Sequence, residues 1–263
     1  MKCRFSLEFA SVSDTGRVRS HNEDAVVINA DADFAVLTDG MGGYNAGEIA
    51  SSMATSIIQQ MLEEHLLAGA STAEDTVHEA GDSVLNAEML LVTAIDAANL
   101  AILQASLQEP DYRGMGTTVV SALFHGDGVT LAHVGDSRGY RLRDRALTQI
   151  TRDHSLLQEQ LDAGLITVEQ AQFAQHKNLI TRAVGVDTVI EADTNYFDIA
   201  PGDCYLLCSD GLSDMLSDAR IAEIANAYGD DIITAARELV AEANEMGGRD
   251  NISVVLIRVV RTL

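Results

Sequence analysis

A chain of 263 residues with 47% hydrophobic and 22% charged side chains has enough apolar surface for one large core, and its composition excludes a disordered polar chain. With 40 acidic residues against 17 basic ones, the net charge is -23 and no run of Lys or Arg interrupts it. A nucleic-acid partner would need a basic footprint that this chain lacks, which argues against that class, and most of the acidic excess must be solvated surface.

The N-terminus MKCRFSLEFASVS has no basic-then-apolar leader, and no apolar stretch is read as bilayer-spanning, which predicts a cytoplasmic protein without membrane insertion. Cys3, Phe5, Leu7 and Phe9 alternate as one face of a first strand, and AVVIN after Asp24 reads as a second. FAVLT is a buried third strand. The corner DGMGGYNAGE then leads into a helix with Ile49, Met53, Ile57 and Met61 on one face, where the methionines are core rather than ligands. Residues 68–82 lose periodicity and read as a surface loop with a solvated His78. A packing helix follows from Val84 to Leu107, carrying Leu91, Ile95, Ala98 and Ile102 on one stripe and ending before Pro110.

From Thr117 the period shortens. TTVVSALF, a Gly126-Asp127-Gly128 turn, VTLAHVGDS, GYRLR, an Asp144-Arg145 turn and ALTQIT predict one antiparallel meander. Two short helices broken at Ala163-Gly164 follow, then the strand DCYLLC, helices at Asp218–Tyr228 and Asp231–Asn244, and a last strand ISVVLIRVV. Cys204 and Cys208 share a strand face as small buried hydrophobes, since three cysteines cannot pair evenly. With two prolines, no linker and no repeat, the chain reads as a single α+β domain over 1–263. Its predicted architecture is two packed antiparallel sheets flanked by helix layers.

Four apolar runs meet an aspartate at a glycine-rich corner: Asp39, Asp136 and Asp210 end strands, and Asp250 precedes one. Any one of these corners alone is ordinary turn chemistry. Four of them gather carboxylates that repel one another, and protons or hard divalent cations must compensate.

The motifs GRVRSHNEDAVV (16–27), LTDGMGG (37–43), GMGTTVV (114–120), HVGDSRGY (133–140), LTQITRDHSL (147–156), ITRAVG (180–185), CSDGLSD (208–214) and GGRDNISVVL (247–256) stand in that order. Taken together, the set resembles the metal-dependent Ser/Thr protein phosphatases of the protein phosphatase 2C family, particularly the compact bacterial kind. The resemblance implies the same two-sheet, two-helix-layer fold. It also implies a binuclear Mn²⁺ or Mg²⁺ site, with Asp39 bridging, the Gly40 carbonyl, Glu23 and Asp24 on one ion, and Asp210 and Asp250 on the other. A third, more weakly held ion would sit between Asp136 and Asp210. Arg19 matches the family's phosphate-binding arginine; without the resemblance it reads as a surface arginine. Thr118 and Asn251 are expected to support the ligands from behind, although Thr117 and Thr118 both also suit plain β-branched strand residues.

Paired Mg²⁺ or Mn²⁺ ions about 3.5–4 Å apart activate water for in-line attack on phosphorus, which needs no phosphoenzyme. Met41 stands where many eukaryotic relatives carry a histidine, so proton supply to the leaving group falls to water near Asp136, or is less demanding in a loose transition state. His21 and His154 lie in matched motifs and receive no catalytic role. The segment 154–178 corresponds to the family's variable flap. The resemblance therefore implies a phosphoserine/phosphothreonine protein phosphatase acting on phosphorylated proteins and opposing a Ser/Thr kinase. The alternatives are a non-catalytic phosphoprotein-binding relative, marked by lost carboxylates, and a two-metal phosphoesterase acting on nucleic acid, which would want a basic groove.

Overall fold

A computed structural model describes residues 2–43, 46–70, 80–171 and 179–261 of the chain. In chain order they form β1 (Ser6–Asp14), β2 (Asp24–Asn29), β3 (Phe34–Met41), α1 (Ala46–Ala70), α2 (Ala80–Gln108), β4 (Gly116–Thr117), β5 (Val119–His125), β6 (Gly128–Val134), β7 (Arg138–Arg143), β8 (Ala146–Gln149), α3 (Leu156–Asp162), α4 (Val168–Ala171), β9 (Asp193–Asp198), β10 (Cys204–Cys208), α5 (Asp210–Ser213), α6 (Asp218–Tyr228), α7 (Ile232–Glu245) and β11 (Ile252–Val260). One sheet runs β1-β11-β10-β7-β8. The other runs β2-β3-β5-β6-β9, with β4 paired to β3. All the strand pairs within them are antiparallel.

Strand alternation builds three apolar layers. On β3, Phe34 and Val36 face α1 and α2, while Ala35 and Leu37 face the second sheet. On β11, Val254 and Leu256 pack with Leu239 and Ala243 of α7, and Val255 and Ile257 point between the sheets. Phe124 of β5 and Tyr205 of β10 meet edge-to-face across that interior at 5.4 Å. This α+β arrangement of two antiparallel sheets between helix layers is the architecture expected from the sequence.

Four local readings change. The meander breaks after β6: β6 pairs with β5 and β9, whereas β7 pairs with β8 and β10 in the other sheet. The chain changes sheets at Gly135-Asp136-Ser137, where Gly135 has φ +103° and a Cβ would sit 2.6 Å from Thr118 Cγ2. Strand β9, half polar and lacking an apolar run, had no sequence signal. The expected loop at 68–82 is helical up to Ala70 and from Ala80, and His78 lies outside the described residues. On α1 the fully buried line is Ala46, Ala50, Ala54, Ile58 and Leu62, with Ile49, Met53, Ile57 and Met61 partly buried beside it.

The stripe expected on α2 is fully buried: Leu91, Ile95, Ala98 and Ile102 have no exposed surface. Against the sequence expectation, Ser83–Gln108 is long and apolar enough to cross a bilayer by length and composition, with mean hydropathy 1.6. Its inner face is core, and Leu85, Met89, Leu100 and Leu107 are exposed. Helix ends are set by local chemistry. Ser155, Ser217 and Asp231 accept the backbone N–H of Gln158, Arg220 and Thr234 at the starts of α3, α6 and α7.

Candidate active site

Both sheets end at the same place. Asp39 lies two residues before the end of β3, Asp136 follows β6, Asp210 follows β10, and Asp250 lies two residues before β11. Asp24, the first residue of β2, is paired by register directly opposite Asp39. Like charges facing each other across a strand pair are destabilising, so this register is not what folding alone would select. Burial, followed by repulsion from Asp24, Asp210, Asp136 and Asp250, holds the Asp39 carboxyl well above its ordinary pKa. Asp210 is raised well above its ordinary value by burial, then by Asp136, Asp214, Asp250 and Asp24. Burial also pushes Asp24 up to about 6 and, with Asp153 second, Asp136 up to about 7. Glu23 is raised by burial too, and the Gly47 N–H at the start of α1 hydrogen-bonds its carboxylate.

Asp24 Oδ1 and Asp136 Oδ1 are buried and accept no hydrogen bond. Orphaned carboxylate oxygens are costly unless a proton or cation completes them. The donor set is all oxygen and largely anionic, which suits Mg²⁺ or Mn²⁺ rather than a softer metal. Residues able to hold such ions are Glu23, Asp24, Asp39, the Gly40 carbonyl, Asp136, Asp210 and Asp250. Gly40 is obligatory for packing: a Cβ there would lie 2.1 Å from Gly47 O, at the first turn of α1.

The carboxylates are backed by a hydrogen-bonded frame. Thr118 Oγ1 accepts the Asp39 N–H at 3.0 Å and lies 2.7 Å from Ser137 Oγ, so one hydroxyl ties β3 to the Asp136 corner. Thr117 Oγ1 donates to the Asp39 carbonyl at 2.9 Å. Asn251 Oδ1 accepts the Glu23 N–H at 2.8 Å, and its Nδ2 donates to the carbonyls of Thr15 and His21, which pins the loop that carries Arg19. Arg19 sits half exposed at the rim, with Nη2 donating to Asp250 Oδ2 at 2.7 Å. A guanidinium there offers its remaining N–H groups to an anion over the carboxylates.

The sequence profile of the family described as Protein phosphatase 2C matches residues 16–244. The chain belongs to the protein phosphatase 2C family. This phosphatase 2C chain is 38% identical over 248 residues to "Serine/threonine phosphatase stp" of Listeria monocytogenes serotype 4b, covering 93% of each. It is similar to the crystal structure of the Mycobacterium tuberculosis serine/threonine phosphatase PstP/Ppp, with TM-score 0.84, 38% identity, and 97% of this chain and 99% of that one covered. The PstP catalytic domain in complex with 2 manganese ions is likewise similar, with TM-score 0.81, 38% identity, and 97% and 98% covered.

In the phosphatase 2C chain, the structure gathers every carboxylate singled out in the sequence at one end of the sandwich. Thr118 and Asn251 lie behind them, although their side chains hold the backbones of Asp39 and Glu23; the Asn251 backbone N–H donates to Asp250 Oδ1 at 2.9 Å. Ser209 was missed. Its Oγ donates to Asp24 Oδ2 at 2.9 Å and accepts the Ser253 N–H at 2.9 Å. Ser137 was missed as well. Both serines adjoin aspartates inside quoted motifs, which is the signal that could have found them. Met41 ends β3 with its backbone paired to Gly116.

Proposed function

We propose that this chain is a metal-dependent protein phosphatase that hydrolyses phosphoserine and phosphothreonine on proteins and opposes a Ser/Thr kinase. The observation that carries the reading is the convergence of five aspartates from separate segments, with the buried Oδ1 atoms of Asp24 and Asp136 orphaned, beside a rim arginine. Membership of a family with a manganese-loaded relative supports it. Asp39 would bridge two Mn²⁺ or Mg²⁺ ions, with Glu23, Asp24 and Gly40 serving one, Asp210 and Asp250 the other, and Asp136 with Asp210 a weaker third. Bound ions of this kind acidify water and neutralise charge on phosphoryl oxygens. Arg19 would orient the phosphate. Anchored on Asp250, its remaining N–H groups would hold two phosphoryl oxygens beside the carboxylate cluster. Residues 1–263 would form one catalytic domain with the segment 154–178 as its flap.

Met41 cannot donate a proton, so protonation of the leaving alkoxide is placed at the Asp136 corner. Replacing Asp136 with Asn should then slow a phosphoserine peptide more than an aryl phosphate, whose leaving group needs no proton. Equal losses on the two substrates would refute that placement. The reading as a whole is tested by phosphate release from a phosphothreonine peptide. Turnover is expected with Mn²⁺, none with EDTA, and a loss of at least about 100-fold in Asp39→Asn, the scale of transition-state charge stabilisation. Phosphopeptide binding without turnover in Mn²⁺ would replace it with a regulatory, non-catalytic role.

A further inference from the structure

His154 lies in the TRDHS motif just before α3 and is 4% exposed, yet the chemistry above does not use it. Its backbone N–H donates to Gly135 O at 2.9 Å, and the Gly135 N–H donates back to its ring Nδ1 at 3.1 Å. The imidazole stacks on His133 of β6, with ring centroids 4.8 Å apart. Its carbonyl accepts the Thr181 N–H at 2.8 Å, beyond the far end of the 154–178 segment. Gly135 immediately precedes Asp136 at the corner where the chain leaves one sheet for the other. On the opposite side, Thr118 packs on Gly135 and holds Ser137.

His133, His154 and Asp193 bring ligand atoms within 4.8 Å of one another, which raises the question of a metal site. Two observations argue against one. The Arg182 guanidinium donates to Asp193 Oδ1 at 2.9 Å, so a cation is already there. A ring whose Nδ1 accepts an amide N–H carries its own proton on Nε2, which faces Asp193 Oδ2 at 3.3 Å, and Arg182 Nη1, also 3.3 Å from Nε2, keeps a cation where a metal would have to sit.

We propose that His154 is a positioning residue whose ring and backbone clamp Gly135 and thereby aim the Asp136 carboxylate into the phosphatase site. The idea rests on Asp136 belonging to that site. Gly135 needs a left-handed backbone and has its N–H consumed by an imidazole nitrogen, so the direction of the next side chain depends on a group supplied by the base of the flap segment. Burial, followed by the neighbouring His133, depresses the His154 pKa, which keeps the ring neutral and its Nδ1 free to accept.

The first test needs no variant. In ¹⁵N spectra of the intact protein at pH 7.5, His154 is expected as the neutral Nε2–H tautomer; an Nδ1–H tautomer would overturn the clamp. The second test compares His154→Asn, whose side-chain oxygen can replace Nδ1 as acceptor, with His154→Phe, which keeps the stack and loses the acceptor. His154→Phe should lower kcat on a phosphoserine peptide about 10-fold with little change in KM, while His154→Asn stays near wild type. If His154 acts through Asp136, the double variant His154→Phe/Asp136→Asn is no slower than Asp136→Asn alone. Additive losses, or equal losses in the Phe and Asn variants, would sink the proposal. A wild-type protein inactive on every phosphopeptide would instead defeat the phosphatase reading and leave the tautomer result standing.

Discussion

Thr117 and Thr118 are adjacent, both buried, and both bonded to Asp39, yet they are not equivalent. Thr118 supplies the acceptor for the Asp39 N–H, and the same hydroxyl reaches Ser137. Thr117 shares its hydroxyl proton between the Thr118 carbonyl at 3.0 Å and the Asp39 carbonyl, which already receives the Thr118 N–H at 2.8 Å. Replacing Thr118 with Val leaves a buried donor unmatched, which costs about 1–3 kcal/mol. It should also weaken Mn²⁺ binding by about 10-fold, since Asp39, the proposed bridging ligand, loses its backing. Thr117→Val should cost less in both urea denaturation and Mn²⁺ titration, and a reversed order would contradict these roles. The aspartates were legible in the sequence because the chemistry demands carboxylates at strand ends. Ser137, Ser209 and His154 were not, because what a hydroxyl or imidazole bonds depends on which segments the fold brings together.

At the scale of elements, period and turn chemistry carried most of the information. Asp144 and Arg145 both adopt left-handed backbone, φ 52° and 66°, in the two-residue turn between β7 and β8. That conformation favours Asn-Gly, so Arg145→Gly should relieve strain and raise stability by about 0.5–1 kcal/mol, read as a higher urea midpoint with activity unchanged. A lower midpoint would mean that the Arg145 side chain contributes packing. Where the pattern misled, geometry explains it. Local hairpins β5-β6 and β7-β8 were correctly visible, but no periodicity reveals that Gly135 sends the second hairpin into a different sheet. On α1, Ile and Met outweigh Ala in any hydrophobicity pattern. The helix nonetheless presses its alanine line against the sheet, because small side chains allow the closer approach and the larger ones fill the flanks. Strand β9 exposes much of its length at a sheet edge beside β6, so it carries no apolar alternation to read.

At the scale of the whole molecule, a chain of net charge -23 buries part of its negative charge at one end of a sandwich, and that choice should govern its response to pH. Asp136, raised to about 7, and Asp39 and Asp210, raised well above their ordinary values, hold protons in the folded state that the unfolded chain has released. Where the folded state binds more protons, stability falls as pH rises, by about 1.4 kcal/mol per pH unit for each such proton. Buried His125, lowered to about 4, and His133 and His154, also lowered, work in the opposite sense. They do so only below about 6.5, where the unfolded histidines take up protons. The carboxylates therefore act unopposed above that point. Metal-stripped protein should melt at progressively lower temperature from pH 6.5 to 8, while saturating Mn²⁺, which binds the ionised carboxylates, should flatten the decline and release protons on binding. Asp39→Asn removes one ionisable member of the cluster, so it should show a shallower decline without metal and a smaller gain with Mn²⁺. A melting temperature that rises with pH across this window in EDTA, or a Mn²⁺ gain undiminished in Asp39→Asn, would show that the cluster is not where the metals bind.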